Sequence, residues 1–351
     1  MILVFSDIHF GSRGSSQFYL DHTLEYFEKI FKYIENNKVD EIFMLGDFLE
    51  DRREINILVL NKIKILLNKI EEYKIPCYYL LGNHDVFYKN DNSINGIGPL
   101  LEDFNYQRII DEPTIFERKR DLGFDIICIP WINNINKKQI YKFLKGISDK
   151  ENTIVFGHFS FEEIMDIPFS ERDSELNISF FKQFKKVYSG HFHLNTKMNN
   201  IIYVGSILDF KWGEELSDHG FYIIDKNKEE FIKNKENIHI KYSINTKEDL
   251  INVLNNCSQK EIKLILSKDL TMSNKEYDYY ISLIDKSCYK LQVLSFDNFN
   301  SFDINNEIIV KTFEEYIINY FKDKSYGADI DNVKLIKIFL KLYDISNKEE
   351  K

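Results

Sequence analysis

An α/β fold built from two sheets is predicted by three features of the chain. Short apolar runs alternate with longer amphipathic ones from the N-terminus, a second set of short apolar runs follows Gly123, and the composition changes near Lys226. Taken in order, residues 2–5, 42–45 and 78–81 read as strands, while 20–34 and 55–70 read as the helices between them. Leu20, Leu24, Phe27, Phe31 and Ile34 recur at helical spacing, so the first connection can cross back over a sheet whose strands run parallel. The second helix carries Leu58, Val59, Leu60, Ile63, Ile65, Leu66, Leu67 and Ile70, more apolar surface than one core-facing stripe needs. It reads as a deeply buried helix or one whose second face meets another subunit.

After Gly123, residues 126–129, 154–156, 187–189, 201–204 and 221–224 read as a second set of strands, giving a two-sheet α/β/β/α sandwich over 1–225. From 226 to 290 there are 12 Lys against 10 acidic residues, a local +2, and 226–295 is expected to form a small α+β cap. Residues 296–306 carry turn-formers without periodicity and read as a linker. Beyond it, Ile309, Phe313, Tyr316, Ile317 and Tyr320, then Val333, Ile336, Leu340 and Tyr343, mark a helical hairpin over 307–351. Two short helices alone bury little surface, so the hairpin needs the parent domain or a partner.

With 351 residues, 44% of them hydrophobic, the chain can bury a sizeable core. Its 46 basic and 56 acidic residues give a net charge of −10, so any polyanion site must be locally positive. Cys77, Cys128, Cys257 and Cys288 are widely spaced and read as reduced core thiols of a cytoplasmic protein. The apolar start meets Asp7 and His9 before a signal peptide can form, and no apolar stretch suits a membrane span.

Five strand-like runs end in polar clusters: Ser6-Asp7-Ile8-His9, Gly46-Asp47, Gly82-Asn83-His84-Asp85, Gly157-His158 and Gly190-His191-Phe192-His193. In open α/β folds the carboxyl ends of the strands share one crevice, so residues distant in sequence converge there. Each cluster alone reads as a cap or surface group; the five together in this order do not. Asp7, His9, Asp47, Asn83, His158, His191 and His193 supply oxygen and imidazole donors without thiolates. These are too many donors for one ion, and they suit two divalent ions sharing a carboxylate, a device for phosphoester hydrolysis. His84 is left to protonate the leaving oxygen, with Asp85 expected to accept its ring N–H. Glu50, Asp51, Arg52 and Arg53 read as a solvated loop, and Arg13 as a surface residue with a phosphate contact as the second reading.

The ordered motifs make the chain similar to the calcineurin-like metallophosphoesterase superfamily and, within it, to the SbcD-type nuclease subunits of bacteria and phages. Ile129-Pro130-Trp131, Tyr203-Val204-Gly205-Ser206 and the order of catalytic domain, cap, linker and hairpin support the narrower likeness. The resemblance implies two Mn²⁺ ions, or Mg²⁺, Fe²⁺ or Zn²⁺ in their place. Asp7, His9, Asp47 and His193 would hold one ion, and Asp47, Asn83, His158 and His191 the other. It further implies a homodimeric DNA nuclease of recombination and repair, a cap that seats DNA, and a hairpin that grips an SMC-like ATPase. Many members have His three residues after the Gly-Asp aspartate; Glu50 stands here, which bears on the balance of exonuclease and endonuclease action. The alternatives are a phosphoprotein phosphatase or small-molecule phosphodiesterase of the same superfamily, and a non-catalytic scaffold.

Overall fold

The computed structural model describes residues 1–88, 90–161, 178–267 and 270–295. The linker and hairpin predicted over 296–351 lie outside them. Nearly all of the described residues, 1–265 with 270–293, belong to one compact unit.

The N-terminal elements are β1 (Ile2–Phe5), α1 (Gln17–Asn36), β2 (Glu41–Met44), α2 (Ile57–Glu72) and β3 (Cys77–Leu80). A hairpin of β4 (Val86–Tyr88) and β5 (Asp91–Asn95) precedes β6 (Gln107–Ile110) and β7 (Thr114–Phe116). Then come β8 (Asp125–Ile129), α3 (Lys137–Lys145), β9 (Thr153–His158), β10 (Lys186–Gly190), β11 (Thr196–Met198) and β12 (Ile201–Tyr203). The remainder is β13 (Gly220–Ile224), β14 (Glu229–Lys233), β15 (His239–Ile244), α4 (Lys247–Asn256), β16 (Glu261–Leu266), α5 (Asn274–Ser287) and β17 (Lys290–Ser295).

One six-stranded sheet has the order β14-β13-β1-β2-β3-β6, the other β11-β12-β10-β9-β8-β7. The predicted sandwich is therefore present, with one correction. Residues 221–224 belong to the first sheet, where β13 runs antiparallel to β1 with Leu3 opposite Ile223. β14 extends the same sheet, and the separate three-stranded sheet β15-β16-β17 starts only at His239.

Between the two sheets lie Val4, Phe43, Leu45 and Leu80 from one and Ile126, Phe156, Tyr188 and Ile202 from the other, all in one buried cluster. On the outer face of the first sheet, α1 and α2 bury Phe27, Ile30, Phe31, Ile63, Leu66 and Leu67 against Leu3, Phe5 and Met44. α3 covers the second sheet through Ile140 and Leu144. Such layering follows from strands buried on both faces, which must be apolar throughout. The Asn56 side chain caps α2 by accepting from the Leu58 N–H at 2.8 Å. The apolar surplus of that helix resolves into a buried stripe and an outer face on which Ile57, Leu58 and Ile65 are exposed. Among the described residues no helix is long and apolar enough to cross a membrane.

α4 and α5 each begin with a capping box, from Thr246 and Asp249, and from Ser273 and Glu276. The three-stranded sheet is tied to the sandwich by a buried polar network. Asp209, fully buried, accepts from the backbone N–H groups of Ile238 and His239, both at 2.7 Å, and its carboxylate lies 3.1 Å from the His239 ring. On the other side of that ring, the Tyr19 hydroxyl of α1 donates to Glu261 at 2.9 Å. Removing a charge so placed strands its partners without water. Asp209→Ala is expected to cost roughly 3 to 5 kcal/mol, read as a lowered denaturation midpoint with amide exchange accelerating first in β15 and β16.

Candidate metal centre

β1, β2 and β3 run parallel, as do β9 and β10, so the loops that leave their carboxyl ends share one edge of the sandwich. The two sheets meet there. Asp7 accepts from the His191 N–H at 3.1 Å, and the His158 Nδ1–H donates to the Leu45 carbonyl at 2.7 Å. The turns are tight enough to put Asp7, His9 and Asp47 at φ of 50 to 53° and His191 at 88°. Left-handed backbone at four site residues is strain of the sort that surrounding structure must hold in place. Gly46, at φ 91°, is needed for the same reason: a Cβ there would lie 2.5 Å from His158 Nδ1 and 2.8 Å from Gly82 Cα.

Among the described residues, donor atoms fall into three groups, each within 4.8 Å: Asp7, His9 and His193; His9, Asp47 and His84; and Asp47, His158 and His191. Asp47 links them. One of its carboxylate oxygens accepts from the His84 N–H at 2.9 Å; the other lies 3.2 Å from His158 Nε2 and 3.7 Å from His9 Nε2. Asn83 Oδ1 is 3.1 Å from His158 Nε2 and 2.8 Å from His191 Nδ1.

The tautomers make this arrangement a cation trap. His193 Nδ1–H donates to Glu214 at 2.7 Å, while His9 Nδ1 pairs with the Glu50 carboxylate at 2.7 Å without hydrogen-bond alignment, and the negative charge beside each favours a proton on Nδ1. The two Nε2 lone pairs then face each other across 3.0 Å. His158, with its proton on the Leu45 carbonyl, likewise turns a lone pair toward the acceptors of Asp47 and Asn83. Without a cation, extra protons must separate these acceptors. His158 is buried, which opposes protonation, yet the adjoining Asp47 carboxylate raises it to about 9. His191 falls to about 4, through burial first and then the His158 charge. His9 is also raised, its three carboxylate neighbours outweighing its burial. Carboxylate, imidazole and amide oxygen are the donor set of a borderline divalent cation, and the residues fit one.

Residues 1–195 match the calcineurin-like phosphoesterases. The chain belongs to that family. It is therefore an enzyme that hydrolyses phosphoesters, and the family implies divalent metal ions. Exonuclease subunit 1 of enterobacteria phage T4 is 26% identical over 349 residues, covering 97% of this chain and 98% of that one. The putative phosphoesterase 078R of invertebrate iridescent virus 3 is 24% identical over 279 residues, 76% of either chain. Among solved structures, Pseudomonas putida nuclease MPE aligns over 64% of this chain and 70% of its own, with 14% identity and a TM-score of 0.29.

Within this phosphoesterase, all seven residues read as ligands from the sequence lie at one sheet edge. The role expected for Asp85 is corrected. Its carboxylate does not face the His84 ring; one oxygen accepts from the N–H groups of Asp47 and Gly82, the other from those of Phe48 and Leu49. Burial and then the Asp47 charge push the carboxyl up to about 6, while the N–H donors pull the other way. Asp85 thus positions the loops that carry Asp47 and Asn83. The His84 ring is oriented by the Glu50 carbonyl, which accepts its Nδ1–H at 2.6 Å.

Glu50 is also not simply solvated, since its carboxylate meets His9. Glu214 was not legible at all: it follows no motif, yet it is 3% exposed, and the His193 contact draws its pKa down to about 2 against its burial. Trp131 walls the second group, its ring centroid 5.5 Å from that of His191 and 5.9 Å from that of His158. Arg13 has its guanidinium 6.0 Å from the Tyr19 ring.

Proposed function

We propose that this phosphoesterase is a manganese-dependent DNA nuclease and the catalytic subunit of an SbcCD-type complex that processes DNA ends in recombination and repair. The observation that carries the reading is the similarity to a phage exonuclease subunit over almost the whole of both chains. Asp7, His9, Asp47 and His193 would hold one ion, and Asp47, Asn83, His158 and His191 the other. When bound, two such ions neutralise a phosphodiester and acidify a water. The chain supplies the rest: Asp47 spans both groups, and His84, fixed through Nδ1, keeps Nε2 to protonate the leaving oxygen.

Residues 226–295 would help seat DNA as a cap, and 307–351 would bind the coiled coil of an SMC-like ATPase. The exposed Ile57, Leu58 and Ile65 on α2 would meet a second copy in a homodimer.

The test is to incubate the purified chain and Mn²⁺ with linear duplex DNA, single-stranded plasmid DNA, a nitrophenyl phosphodiester and a phosphopeptide. DNA and the diester should be cleaved and the peptide left intact. Dephosphorylation of the peptide with both DNAs intact would make the chain a protein phosphatase instead.

A further inference from the structure

The two ligand groups differ in what stands behind their histidines. In the group of Asp7, His9 and His193, each imidazole rests on a carboxylate: His9 Nδ1 on Glu50 and His193 Nδ1 on Glu214, both at 2.7 Å. His9 alone has three carboxylates within 4 Å, from Asp7, Asp47 and Glu50. In the other group, His158 Nδ1 rests on the neutral Leu45 carbonyl at 2.7 Å, while His191 Nδ1 lies 2.8 Å from Asn83 Oδ1, itself a proposed donor, so that contact lies among the donors and not behind the ring. Among the described residues, the carboxylate in ion-pair contact with His158 is that of Asp47, at 3.2 Å from Nε2.

A carboxylate behind an imidazole fixes its tautomer, raises the basicity of the ligating nitrogen and adds negative charge to the site. We infer that Glu50 and Glu214 are paired positioning residues that make the Asp7, His9 and His193 site the tighter of the two, so that the ions load in order. Glu50 has a second task, because its carbonyl holds His84. The site filled first is therefore built on the same residue that orients the proposed proton donor, and the second ion completes a pocket already arranged.

The inference rests on the ligand assignment proposed above, and the experiment separates the two. Mn²⁺ is titrated calorimetrically into the metal-free full chain. Two equivalents should bind in two resolved steps. Glu50→Ala should weaken the tighter step roughly 10- to 100-fold and leave the weaker one in place. Glu50→Gln, which keeps the shape beside His9 and removes the charge, should recover part of that loss. Asn83→Ala should remove the weaker step alone. Glu50 is the better site to vary because Glu214 also accepts from the Phe210 and Lys211 N–H groups, and its replacement can loosen that loop. Fewer than two equivalents on the unmodified chain would overturn the ligand assignment and this inference with it. Two equivalents with a tighter step unmoved by Glu50→Ala, or lost in Asn83→Ala, would overturn the ordering alone.

Discussion

His84→Ala should leave both ions bound and lower the rate of DNA hydrolysis roughly 10²- to 10⁴-fold, the contribution of one well-placed general acid. The ring is held at Nδ1 by the Glu50 carbonyl, and its centroid lies 5.0 Å from that of His9 with the planes at 81°, so His84 borders the ligand groups. Its donor atom does come within 4.8 Å of those of His9 and Asp47, and the variant therefore has to separate proton donation from ligation. The leaving group makes the separation. A DNA sugar oxygen departs as a strong base and needs a proton, whereas nitrophenolate departs without one. The variant should lose far more activity on DNA than on the nitrophenyl diester, with metal content by elemental analysis equal to that of the unmodified chain. Equal losses on both substrates, or a missing ion, would make His84 a ligand instead.

The sandwich was legible because its signals are local. β1, β2, β3, β8, β9 and β10 are short apolar runs, and α1 shows its buried stripe in the spacing of Leu20, Phe27, Phe31 and Ile34. The site clusters were legible for a related reason: a polar group directly after a buried strand has to stand at the sheet edge. What could not be read was pairing. All five residues of β13 are buried, so its own pattern does not say which sheet it joins, and only the antiparallel register with β1 decides. Glu214 was hidden because its partner His193 is 21 positions away, on the far side of β11, β12 and the loop that follows them. Asp85 was misread because adjacency in sequence suggested adjacency of side chains. A turn sends neighbouring side chains in different directions, and this one points inward at the backbone of the Asp47 loop.

That inward carboxylate gives the second large effect. Asp85 is 1% exposed and takes four N–H groups on two oxygens, with Asp47 and Gly82 at 2.8 Å, Phe48 at 2.9 Å and Leu49 at 3.0 Å. Asparagine fills the same volume but can satisfy only one pair. Its amide nitrogen would turn two donors toward two donors, and water has no access to intervene. Each buried hydrogen-bonding group left unsatisfied costs about 1 to 3 kcal/mol, so Asp85→Asn is expected to destabilise the fold on the order of 3 to 5 kcal/mol. For a unit of this size that corresponds to a fall in Tm of roughly 10 °C. Metal affinity should fall with it, because the same N–H groups hold Asp47 in its left-handed conformation and fix the turn before Asn83. Scanning calorimetry with and without Mn²⁺ separates the two consequences. The metal-free comparison reads the lost hydrogen bonds, and a smaller gain in Tm on adding metal reads the disordered ligands. A variant as stable as the unmodified chain, with an undiminished response to Mn²⁺, would mean that Asp85 does not hold the two loops together.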